Sequence, residues 1–147
     1  MFRQGNVMQA ITLQSAGSAT RSTSERRQTR GRAAQARGVK AETAACAALV
    51  ADGWTVLARR MRTPAGEIDI VAEQAGLLAL VEVKARPALA DAAFALGWRQ
   101  RQRLLQAASI VAAEHPGWGQ AGMRFDVMLV DAAGSVRRIT DAFRAEE

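Results

Sequence analysis

One cysteine, Cys46, among 147 residues cannot close an intrachain disulfide, and one histidine, His115, beside that cysteine cannot complete a tetrahedral zinc site. Thiol and zinc chemistry are set aside on that ground. Long apolar runs are missing as well: 49% of the residues are apolar, yet unbroken apolar runs such as Ala75 to Val81 are far shorter than the ~18 residues a membrane helix needs. No membrane span is expected. The patch Val7 to Leu13 is short, is broken by Gln9 and Thr12, and lacks the preceding basic cluster of a secretory signal. The expected location is the cytoplasm, although the Arg- and Ser-rich, acid-poor start would also suit an organelle transit peptide.

Acidic residues are scarce in one region only. Residues 1–40 hold eight Lys or Arg against one acid, Glu25, whereas residues 41–147 hold twelve against thirteen, so the formal charge of +6 resides in the first segment. A basic arm on a near-neutral body can hold nucleic acid through phosphate contacts, and it can equally be a solvated leader. Residues 1–36 are rich in Gly, Ser, Thr, Gln and Arg with no sustained period, and they are expected to be a disordered basic tail. The rest, 37–147, is long enough for one domain with one core.

Helical spacing of Val39, Cys46, Leu49 and Val50, closed by Gly53, predicts a first helix over 38–52. Strands are expected at Trp54–Arg60, Glu67–Glu73 and Leu77–Lys84, the last two joined as a hairpin about Ala75-Gly76. Residues 88–97 are ambiguous. An amphipathic helix over 98–114 follows, with Trp98, Leu104, Leu105, Ala108 and Val111 on its apolar side and Arg99, Arg103 and Gln106 opposite. Strands at Met123–Val130 and Val136–Ile139 complete an α/β order.

Side chains alternate across a strand, which sorts the hairpin by face. Leu77 to Lys84 is apolar on both faces in its first half and charged at its end, as a central buried strand is. In the preceding strand Ile68, Ile70 and Ala72 share one face and Glu67, Asp69 and Val71 the other. A two-residue turn at Ala75-Gly76 sets Asp69 opposite Glu82 and Glu67 opposite Lys84. Facing carboxylates ~4.5–5.5 Å apart at Cβ destabilise a ladder unless a cation lies between them. Mg²⁺, held by one or two carboxylates, waters and a substrate phosphate, suits that place. The bland alternative is an exposed hairpin with surface ion pairs worth ~0–1 kcal/mol each. Glu42 falls on the stripe that packs against the sheet, so its carboxylate needs a partner, either an arginine or a metal at the strand ends.

These residues form a recognisable set: Glu42, Leu49 and Gly53-Trp54, then Arg59 and Arg62, Gly66–Ala72 (GEIDIVA), Val81–Lys84 (VEVK) with Arg86, and Arg124–Val127 (RFDV). The pattern resembles the YraN-type family of small, uncharacterised bacterial proteins, over about Gly38 to Phe143. That family in turn resembles the restriction-endonuclease-like superfamily and, within it, archaeal Holliday-junction resolvases. The resemblance implies a mixed central sheet flanked by helices. It implies that Asp69 and Glu82 ligate Mg²⁺ or Mn²⁺ with the backbone carbonyl of Val83, that Lys84 orients or helps deprotonate the attacking water, and that Glu42 supports the site. Glu67 is a lesser candidate, accepting from Lys84 or holding metal-bound water. The implied activity is metal-dependent endonucleolytic cleavage of branched or structured DNA, by a homodimer if it follows the resolvases; the alternative is a non-catalytic nucleic-acid-binding protein with the same fold. One departure is that the family often has Lys-Gln at the start of the second helix, where this chain reads Trp98–Arg103 (WRQRQR), a set read as a solvated face.

Overall fold

The structure is a computed structural model, and it describes residues 22–89 and 96–144. Seven elements follow in order: α1 (Thr23–Ala51), β1 (Thr55–Thr63), β2 (Gly66–Gln74), β3 (Leu77–Ala85), α2 (Trp98–Glu114), β4 (Gly122–Val130) and β5 (Val136–Phe143). The strands form one sheet in that spatial order, antiparallel at every step except the parallel pair β3–β4. A parallel pair needs a crossover, and α2 supplies it. The fold is α/β with a mixed sheet, as expected.

Two cores sandwich the sheet. On one face Ala41, Ala45 and Leu49 of α1 pack on Ile70, Ala72, Ala79, Val81, Met128 and Val130. On the other, Leu104, Ala107, Ala108 and Val111 of α2 pack on Ile68, Val71, Leu78, Leu80, Val127 and Leu129. β3 is therefore buried on both sides along Leu78–Glu82, which explains its unbroken apolar start. The ambiguous stretch 88–97 falls largely outside the described residues.

Three local expectations need correction. Helix α1 begins at Thr23 rather than near Gly38, so residues 23–36 are helical. A capping box at Ser22 and Glu25 starts it, and Arg, Ala and Gln then carry it, because helix propensity does not require an apolar face. Trp98 does not join the apolar side of α2: it is 71% exposed, being the first helical residue and lying ahead of the turns that reach the sheet. Ile68 packs on the α2 face and Ile70 on the α1 face, so strict alternation fails between them.

The reason for that last failure lies in β1. Arg59 pairs with Ile70 and Met61 with Ile68, while Arg60, between them, adopts φ +48°. A left-handed residue in a strand twists the chain locally and re-aims its neighbours. Consecutive Arg59 and Arg60 consequently both reach α1, at Thr43 and Glu42. The facing residue on β2 is Asp69.

Candidate metal centre

Asp69 thus stands where β2 changes face, at the end of its pairing with β3. The register is the expected one from Gln74↔Leu77 to Ile70↔Val81 and then stops. Asp69 and Glu82 do not form a ladder pair, nor do Glu67 and Lys84, because the Asp69 carboxylate has replaced the ladder: its Oδ2 accepts the Val83 N–H at 2.8 Å. That contact brings Val83 to the site through its amide.

Around Asp69 the carboxylates converge. One oxygen each from Glu42, Glu67 and Asp69 lie within 4.8 Å of one another. Glu42 comes from the buried stripe of α1, is 8% exposed, and accepts from Arg60 Nε at 2.8 Å. The arginine partner is thus one of the two anticipated for it. Glu67, the lesser candidate, is a full member of the cluster.

Glu82 lies outside that trio but within its electrostatic reach. It is 5% exposed on the α2 face, where Oε1 accepts from Gln100 Nε2 at 3.0 Å and pairs with Lys84 Nζ at 3.3 Å and Arg103 at 3.7 Å. Its other oxygen, Oε2, is buried with no hydrogen-bond partner among the described residues. An orphaned carboxylate oxygen in the interior is costly. The Asp69 carboxyl registers the crowding: burial, then the charges of Glu82 and Glu42, push its pKa up to about 7, against the Val83 amide and Lys84, which pull it down. Lys84 pairs along its own strand with Glu82 rather than across with Glu67.

Gln100 and Arg103 were missed as site residues. Arg103, expected on the polar side of α2 within a solvated set, instead stands with Gln100, three residues away, on the side of Leu104, Ala107 and Val111, because positions three and four apart share a helix face and that face meets the sheet. Arg103 reaches Glu82 by passing over Gly66, where φ is +135° and an added Cβ would lie 2.8 Å from Arg103 Cδ. Arg60 was missed for another reason, since nothing in its sequence context announces a positive φ. Asp126, within the RFDV motif, is 1% exposed and bound by Arg124 and Arg138, whose guanidinium groups stack on Trp54. That cluster is structural, and it holds β4 to β5.

A model of the family described as "Uncharacterised protein family UPF0102" matches residues 41–130. The chain belongs to the UPF0102 family. This is the YraN-type family that the motifs pointed to. A UPF0102 protein of Granulibacter bethesdensis is 63% identical over 118 residues, covering 80% of this chain and 75% of the relative. One from Acidiphilium cryptum is 47% identical over 127 residues, covering 86% and 98%, and one from Rhodopseudomonas palustris is 49% identical over 108 residues, covering 74% and 83%. The UPF0102 span opens at the first buried residue of α1 and closes with β4. It contains Glu42, Glu67, Asp69, Glu82, Lys84, Gln100 and Arg103.

Among the described residues no helix is long and apolar enough to cross a membrane.

Proposed function

We propose that this UPF0102 protein is a Mg²⁺- or Mn²⁺-dependent endonuclease of the restriction-endonuclease-like kind, acting in the cytoplasm on structured or branched DNA. The observation that carries the reading is the convergence of Glu42 of α1 with Glu67 and Asp69 of β2 within 4.8 Å. The donor set fits a hard cation: three clustered carboxylates, with Glu82 near them, whose Oε2 is buried and has no hydrogen-bond partner among the described residues. A divalent cation there would neutralise charge on a phosphodiester and acidify water beside it.

The chain's own groups divide the remaining work. Asp69 and Glu82 would hold the cation, with the Val83 carbonyl as a further ligand, and Glu42 and Glu67 would complete the acidic shell. Lys84, tied to Glu82 and part-buried, supplies positive charge beside the scissile group and orients the attacking water. Gln100 and Arg103 hold the Glu82 carboxylate by its Oε1, which leaves Oε2 uncommitted. A homodimer would let two such sites cut paired strands.

The test is cleavage of linear, flapped, nicked and four-way DNA by purified protein with Mg²⁺ or Mn²⁺. Wild type should cut at least one of them and Lys84→Ala should be slower by a factor on the order of 10² or more, the scale of a lost positioned charge in phosphoryl chemistry. DNA that is bound and left intact with either metal would instead identify a non-catalytic nucleic-acid-binding protein.

A further inference from the structure

The N-terminal half of α1 has no counterpart in this site. From Ser22 to Arg37 every residue is exposed, so this stretch presents no face to the core. At 1.5 Å per residue it projects about 22 Å. It carries five arginines, Arg26, Arg27, Arg30, Arg32 and Arg37, against Glu25, which is spent on the cap. None of the five makes an ion pair among the described residues.

Their placement is not uniform around the helix. At 100° per residue, Arg26, Arg30, Arg37 and exposed Lys40 fall within an arc of about 80°, a single ridge running about 21 Å. The length matches roughly six successive phosphates along one strand of a duplex, at about 3.4 Å each. Where the helix meets the sheet, Gln35 and Gly38 line an open polar groove of ≈510 Å³ together with Glu42, Arg60, Arg62 and Glu67. Two of the three clustered carboxylates therefore open onto the Gln35 and Gly38 side of α1, whereas Arg37 and Lys40 of the ridge line a separate groove with Asp131 and Gly134 on the other side of the helix.

We propose that the Arg26–Arg30–Arg37–Lys40 ridge is a phosphate-binding arm that holds duplex nucleic acid by its backbone. The occupant is nucleic acid rather than an anionic membrane because a membrane-seeking basic helix needs a bulky apolar face, and the only apolar side chains over 23–37 are alanines.

The arm is tested by fluorescence anisotropy with labelled duplex DNA in EDTA across a salt series, comparing the wild-type chain with R26Q/R30Q/R37Q/K40Q. Glutamine keeps the helix propensity, and circular dichroism checks it. Each phosphate contact contributes roughly 0.9 to the slope of log affinity against log salt, so the variant should be shallower by roughly 3 to 4 and at least about 10-fold weaker at low salt. The R26K/R30K/R37K variant should keep the wild-type slope. An unchanged slope in the glutamine variant overturns the arm, as does a wild type that ignores duplex and binds phosphatidylserine vesicles instead. Binding is read without metal, so the two proposals fail separately: an arm-dependent slope with no cleavage in Mn²⁺ supports the arm and removes the nuclease, whereas cleavage with an unchanged slope does the reverse.

Discussion

At Asp69 the burial and the neighbouring carboxylates work in one direction, and the consequence is a pH dependence of stability. Its folded pKa of about 7 lies above the ordinary 3.8, so the folded state favours the proton. The stabilisation is complete below pH ~4 and is lost as pH rises through ~7. Without divalent metal the wild type should therefore be less stable at pH 8 than at pH 5 on this account. Asp69→Asn removes that dependence and should gain about 1–2 kcal/mol relative to wild type at pH 8, with little difference at pH 5, because the group is partly exposed and only part of its shift appears as stability. Urea melts of both proteins at both pH values check it; parallel behaviour would contradict the crowded-carboxylate picture. Glu42, Asp69, Glu82 and Lys84 could all be named from residue type and position. Arg60, Gln100 and Arg103 could not be ranked, since their roles come from a backbone twist and from the rotation of α2, which turns Arg103 toward the sheet rather than to solvent.

Among the elements, the β2–β3 hairpin was legible because its turn leaves few choices. Ala75 and Gly76 take φ +50° and +80°, the two positive values of a type I′ turn, and the register follows from them. Alanine is strained there by about 1 kcal/mol. Ala75→Asn should accordingly stabilise the protein by about 0.5–1 kcal/mol, seen as a higher urea midpoint at constant m-value. A lower midpoint would mean that the asparagine disturbs packing outside the turn. The opposite sign is expected at Gly66, where Gly66→Ala meets both a positive φ and Arg103 and should destabilise by about 1–3 kcal/mol in the same melts. The start of α1 was not legible from apolar pattern, because residues 23–37 have none and are helical through capping and propensity. Removing residues 1–36 should leave the thermal midpoint nearly unchanged, since the first buried residue is Ala41. A fall of many degrees would show that the arm is part of the folding unit.

For the molecule as a whole, the alternation of one helix, a three-stranded meander, a crossover helix and two strands was enough to anticipate a mixed sheet covered on both faces. Strand order alone did not reveal where the sheet would crowd its charge. The twist at Arg60 and the change of face at Asp69 place acids from α1 and β2 near one from β3; Arg60, Lys84 and Arg103 offset part of that charge, and a proton or a divalent cation would offset the rest. The most direct measurement is calorimetric melting at pH 8 with and without Mn²⁺, for the wild type and Glu82→Gln. At Mn²⁺ concentrations about 100 times Kd, the wild type should gain ~2.7 kcal/mol, and the variant should gain little because its affinity is lost. Superimposable melts of the wild type with and without Mn²⁺ would contradict the metal centre, and with it the nuclease.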